Sequence, residues 1–208
     1  MAEGAIRLTR VLQRLLPGDD ELRGLLALML LTHARRHART APDGALIPLA
    51  EQDRARWDRA AIAEGVSLIS GALSAGMVGP FQLQAAIAAV HAEAPRPAET
   101  DWREITVLYE LLERIAPNPV FTFNRAVAVA MFRGPAAALE LLGEVARDQR
   151  LGGCHRVAAV RGHLLELAGD TVAAAAADDI AARLTTSLAE HQYLQRRAVE
   201  TRTRAERA

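Results

Sequence analysis

The chain has 208 residues, half of them apolar, with 25 basic and 25 acidic side chains; every basic residue other than histidine is arginine. Such a chain can bury a sizeable core, and a formal net charge of zero argues against non-specific binding to nucleic acid or to an anionic membrane. Aromatic residues make up 4%, too few for a base-stacking platform, and the single Cys154 excludes an internal disulfide or a cysteine metal cluster.

Ile6, Leu8, Val11, Leu12, Leu15 and Leu16 recur at helical spacing, which predicts a first helix ending at Pro17. No signal-peptide block is visible there, and the longest apolar run, 25–31, is much shorter than a membrane span. A cytoplasmic protein that does not enter the membrane is expected. Asp19 or Asp20 opens a second helix reaching about Arg39, with Leu22, Leu25, Leu26, Met29 and Leu30 on its apolar face. Pro42, Asp43 and Gly44 mark a turn through proline φ and glycine freedom. A third helix is predicted from 53–58 to about Ser74, and a fourth over 81–93 behind Pro80. Asp101 and Glu104 form a capping-box pattern for a fifth helix that ends before Pro117. Asn118 and Pro119 restart a sixth, and Gly134 turns into a seventh over 136–146. Gly152 and Gly153 precede an eighth over 155–167, Gly169 a ninth over 171–184, and a tenth covers 188 to about 204.

No segment alternates with a period of two, so no sheet is expected. Gly134 and Gly169 stand in matching turns, separated by about one tetratricopeptide period of roughly 34 residues. Ala174 and Ala181 supply small residues where such a repeat needs them. The expected fold is all-α: a right-handed, tetratricopeptide-like stack of helical hairpins with about ten helices. One helical domain over 1–208 is expected, with an N-terminal helix pair and loop (1–48), central helices (49–117) and repeat-like helices with a charged tail (118–208).

The densest polar run surrounds one tryptophan: Asp53, Arg54, Arg56, Trp57 and Asp58. It reads either as a docking surface, since Trp and Arg dominate interface hot spots, or as an internal clamp. In the clamp, Trp57 fills core space while Arg54 or Arg56 pairs with a carboxylate of a neighbouring helix. Asp101 and Trp102 join the clamp set. Gln82, Gln84 and His91 are polar positions on the apolar fourth helix; they line a ligand groove or satisfy backbone carbonyls. Asn124 and Arg125 on the sixth helix suit the grip of a repeat groove on a peptide, or a hydrogen bond between repeats. His33 and His37 have the four-residue spacing of a metal pair but no acidic or cysteine partner beside them, and Arg35 and Arg36 between them repel a cation. Glu104, Glu110 and Glu113 read as a solvated face. No phosphate loop or nucleophile elbow is present, so neither catalysis, a cofactor nor a metal is expected. Cys154 and a hydrolytic use of His91 with a carboxylate are weaker alternatives.

Several strings resemble one family. They are LLALMLL at 25–31 with HARR at 33–36, QDRARWD at 52–58, GPFQLQAAIAAVHA at 79–92, TDW at 100–102 and PVFTFNRAVA at 119–128. Together they are similar to the C-terminal tetratricopeptide-like extension of bacterial extracytoplasmic-function sigma factors. Sigma regions 2 and 4 are missing from this sequence, and it contains no helix-turn-helix with a basic recognition helix. The resemblance implies a regulatory, protein-interaction role in transcription initiation. The implied partners are sigma regions 2 and 4, RNA polymerase or a regulator, without DNA binding by these residues. A small-molecule-sensing domain is the alternative, with its ligand near Gln84, His91 and Asn124.

Overall fold

A computed structural model describes residues 2–74, 76, 78–147 and 153–206. Among them the protein is all-α, as the periodicity predicts. The helices are α1 (Ala2–Leu15), α2 (Asp20–Ala34), α3 (Arg59–Leu73), α4 (Pro80–Glu93) and α5 (Trp102–Ile115), then α6 (Pro119–Arg133), α7 (Pro135–Val145), α8 (His155–Leu167), α9 (Thr171–Leu184) and α10 (Leu188–Ala205). They group into two compact units: Met1–Thr40 with Ile47–Pro117, and Ala41–Leu46 with Asn118–Ala208. The main division falls at 117/118, where Pro117 and Pro119 flank Asn118.

In the first unit α2 packs against α1, α3 and α4, and α4 also packs against α3 and α5. Leu31, Ala34, Trp57, Ile62, Ile69, Ala85 and Ala89 form the main buried cluster. Two glycines let the backbones approach closely. A Cβ on Gly24 of α2 would lie 2.7 Å from the Gln82 backbone nitrogen of α4, and one on Gly65 of α3 would lie 2.8 Å from Leu31 Cγ.

The second helix ends at Ala34, not at Arg39, and residues 36–38 form a 3-10 turn. The cause is non-local. The Ala34 carbonyl accepts the Asp58 N–H at 3.0 Å, and the Ala38 N–H turns to the Arg35 carbonyl instead. His33 and His37 therefore do not share a helix; His33 approaches Glu3 at 3.8 Å, and His37 is exposed. The third helix starts at Arg59 rather than within 53–58, which instead holds the 3-10 turn Arg54–Arg56. Asp58 caps α3 by accepting the Ala61 N–H at 3.1 Å.

In the second unit α6 pairs with α7 and α8 with α9; α7 and α6 both pack on α8, and α10 packs on α9. Gly134 (φ +94°) and Gly169 (φ +86°) make the two inter-helix turns in the left-handed region that glycine favours. Phe123, Ala126, Val129, Ala138, Leu142 and Leu164 form its main buried cluster. Of the glycine pair expected before α8, Gly152 lies outside the described residues. Gly44 (φ +84°) occupies the turn expected at 42–44, where the Asp43 carboxylate accepts the Ala45 N–H at 3.0 Å.

Candidate functional site

The polar residues singled out on α4 lie on a helix held at both ends by charges from elsewhere in the chain. At its N-terminus the Glu21 carboxylate of α2 accepts the N–H groups of Phe81 and Gln82, both at 3.1 Å. A carboxylate there satisfies donors that no turn of helix can reach and complements the helix dipole. At the other end Arg54 Nη1 donates to the His91 carbonyl at 2.7 Å and to the Ala94 carbonyl. Arg54 is only 8% exposed, and its guanidinium lies 4.8 Å from the centre of the Trp57 ring.

The clamp residues therefore divide. Trp57, 3% exposed, is core. Arg54 binds backbone carbonyls rather than the carboxylate expected for it, because the C-terminal turn of α4 presents unpaired acceptors. The carboxylate pairing in this region is instead Arg36 with Asp58, at 3.5 Å. Asp53 caps the short turn through the Ala55 N–H at 2.9 Å, and Arg56 is exposed. Asp101 caps α5 by accepting the Glu104 N–H at 2.9 Å. Trp102 meets the His91 ring edge-on, with centroids 5.2 Å apart.

Gln82 is buried against Gly24. Gln84 donates to the Pro80 carbonyl of its own helix at 3.1 Å. With Ala88, Gln84 and His91 make a half-buried stripe along α4. Burial, helped by Arg35 and Arg54, pushes the His91 pKa down to about 4, so the imidazole is neutral near pH 7. Burial, then Arg39 and Arg54, likewise lowers Arg35 to about 10. Burial raises Tyr109 to about 12.

Asn124 and Arg125 are half-buried on α6 of the second unit. That unit also holds features the sequence reading missed. Asp178 on α9 has 0% exposure; Arg197 Nε of α10 lies 3.4 Å from one of its oxygens. The same arginine pairs with Glu166 of α8 at 2.6 Å, and Arg204 reaches Glu166 at 2.7 Å. Burial raises Asp178 to about 6, against the opposing pull of Arg197. The signal was present in the spacing: Asp178 falls on the same helical face as Ala174, Ala177 and Ala181. A cavity of about 490 Å³ is lined by residues of α7, α8 and α9, among them Leu142, Val157, Leu165, Ile180 and Arg161, together with half-buried Cys154. In the first unit a cavity of about 330 Å³ between α1, α2 and α3 is lined by Arg7, Arg10, His33, Arg36, Asp58 and Glu64, among others. Among the described residues no group of three or more His, Cys, Asp or Glu could hold a metal ion, and no helix is long and apolar enough to cross a membrane.

A family of unknown function, DUF6596, matches residues 1–73, the stretch that contains α1, α2, the Arg54–Trp57 turn and α3. An uncharacterised protein of Rhizobium meliloti (strain 1021) is 45% identical over 194 residues, a match covering 93% of this chain and 45% of that relative. The chain thus spans less than half the length of this relative. No solved structure matches the chain.

Proposed function

We propose that this chain is a cytoplasmic, non-enzymatic interaction domain that modulates a sigma factor in transcription initiation by contacting sigma regions 2 or 4, RNA polymerase or a regulator. The observation that carries the interaction reading is the second unit: two helical hairpins turn on positive-φ glycines, and each packs on its neighbour. Stacked hairpins of this kind present extended faces to peptides and domains. Asn124 and Arg125 on α6 are the side chains suited to hold such a partner. The sigma-factor assignment rests on the strings at 25–36, 52–58, 79–92, 100–102 and 119–128. The extra length of the Rhizobium meliloti relative is compatible with a module that works beside other domains. Regulation then means shifting the populations of active and inactive sigma arrangements through differential contacts.

The test is direct binding of the purified chain to core RNA polymerase and to separately expressed sigma regions 2 and 4, by surface-immobilised interferometry. Saturable binding to one of them, weakened about tenfold (roughly 1.4 kcal/mol) by Asn124→Ala or Arg125→Ala with unchanged melting temperature, supports the proposal. Binding to none of the three overturns it.

A second reading, small-molecule sensing, is favoured by the cavity of about 490 Å³ in the second unit, a volume typical of ligand pockets. Its place differs from the α4 region expected for a ligand. A ligand seated there would slow modification of the Cys154 thiol; unchanged reactivity across a metabolite panel would remove this reading.

A further inference from the structure

The regular leucines of α1 suggest a face buried in the core, but the structure turns that face outward. The buried residues of α1 are Ile6 and Thr9, whereas Leu8, Val11, Leu12, Leu15 and the following Leu16 are 37% to 70% exposed. At about 100° per residue those five side chains form one continuous aliphatic stripe. Ile6 and Thr9 lie on an edge roughly 100–150° round the helix from its centre. The helix thus rests on α2 through a narrow edge. Thr9 Oγ1 donates to the Ala5 carbonyl at 3.0 Å and approaches Met29 Sδ at 3.4 Å.

A third face carries Arg7, Arg10 and Arg14, which border the stripe on the Val11 side. Arg10 is held by Glu64 of α3 through two contacts at 3.2 and 2.5 Å. Arg7 and Arg14 are exposed and pair with no carboxylate among the described residues. Contiguous aliphatic surface of this kind marks an interaction site, and a cationic border selects what covers it.

We propose that the outward face of α1 is a docking surface for a partner's amphipathic helix, one with an aliphatic stripe bordered by acidic residues. The aliphatic stripes would pack together, and the partner's carboxylates would meet Arg7 and Arg14. A second copy of this chain fits less well. Antiparallel pairing of two α1 stripes sets each arginine row against its own counterpart, and like charges in register oppose association. An anionic membrane also fits less well. Arg10 is already neutralised by Glu64 and Glu3 shares the row, which leaves far fewer free cations than a lipid-binding cluster of about 4–8. The proposal rests on the protein-interaction reading above, but it names a surface of the first unit, and its test needs no polymerase.

The test uses the full chain and a fluorescein-labelled synthetic helix with leucines at alternating third and fourth positions, bordered by glutamates. The control peptide has arginines in place of the glutamates. Fluorescence anisotropy should show the acidic peptide binding at least about tenfold tighter than the control. Leu12→Glu and Leu15→Glu should abolish binding; Arg7→Glu with Arg14→Glu should reverse the peptide preference. The positions are exposed, so circular-dichroism melts should stay unchanged. Equal affinity for the two peptides, or binding of neither, overturns the proposal. So does a concentration-dependent dimer, by sedimentation, that Leu12→Glu dissolves, or tighter binding to phosphatidylserine vesicles than to the acidic peptide. Asn124→Ala should leave peptide affinity unchanged. Retained peptide binding without any binding to polymerase or sigma regions would remove the sigma-factor assignment and leave this surface standing.

Discussion

Both units cap helices from the residue just before them, Asp19, Asp58 and Asp101 doing so in the first, but the first unit also holds one helix by charges from elsewhere in the chain. In the second, three helices take their side-chain caps from the residue just before them: Asn118 receives the Val120 N–H, Asp170 that of Ala173 and Ser187 that of Glu190. In the first, α4 is capped from far along the chain, by Glu21 at one end and Arg54 at the other. The packing follows the same division. The hairpins of the second unit add along the chain, as repeat proteins do. The first unit closes α2, α3 and α4 on one another through the glycine contacts at Gly24 and Gly65. Local caps let a helix form before its neighbours arrive, whereas distant caps make helix and surroundings form together.

Trp57→Ala strikes the centre of the first unit and should have the largest effect, about 3–5 kcal/mol of stability. Trp102, also in the first unit, remains as the fluorescence reporter in urea unfolding. Arg54→Met should cost about 2–3 kcal/mol, because it strips a charged donor from two carbonyls at the end of α4. Trp57 and Arg54 touch, so the double variant should depart from additivity by at least about 0.5 kcal/mol. Additive losses would mean that the ring and the guanidinium act independently.

Glycine substitutions sharpen the contrast. Gly24→Ala places a Cβ 2.7 Å from the backbone of α4 and should cost about 1–3 kcal/mol. Gly143→Ala, inside α7 with nothing within 4 Å of the added Cβ, should stabilise by about 0.5–1 kcal/mol through helix propensity. Thermal melts of the two variants should move in opposite directions.

Acid should also divide the units. Burial holds His91 neutral down to about pH 4, below its ordinary value of 6.5. Between those values the unfolded chain takes up a proton that the folded chain refuses, so the contribution of His91 is present above pH 6.5 and is lost as pH falls towards 4. Asp178 is the reverse. Its pKa rises from 3.8 to about 6, so the folded chain retains a proton that the unfolded chain releases. Its contribution is present below pH 3.8 and is lost as pH rises through 6. Between pH 7 and 5 each effect should amount to about 1–2 kcal/mol. From pH 7 to 5 the tryptophan-reported midpoint should fall, while amide protection of α9 should rise. His91→Gln should flatten the first trend and Asp178→Asn the second.

What the sequence discloses follows the same line between local and distant causes. Asp58, Asp101, Asn118 and Asp170 stand immediately before the helices they cap, and Gly134 and Gly169 mark their turns. These features need only neighbours along the chain. The early end of α2 was hidden because a peptide group at Asp58 takes the Ala34 carbonyl. Arg54 was visible as a residue of consequence, but its partners, the carbonyls of His91 and Ala94, have no side-chain signature. Periodicity located the aliphatic stripe of α1 without saying that it faces solvent, since amphipathic spacing fixes a face and not what covers it. Among the polar candidates, Gln84 turns to its own helix, and Gln82 is buried where α2 crosses α4.

Native-state hydrogen exchange of Arg54→Met beside the wild-type chain tests the contrast between the units most directly. If α4 and its distant caps make the first unit one cooperative body, the slowest amides of α2, α3 and α4 should lose protection together and by the same free energy, about 2–3 kcal/mol. Those of α8 and α9 should keep theirs. Loss confined to the 54–56 turn and the last turn of α4, with α2 and α3 unchanged, would contradict it.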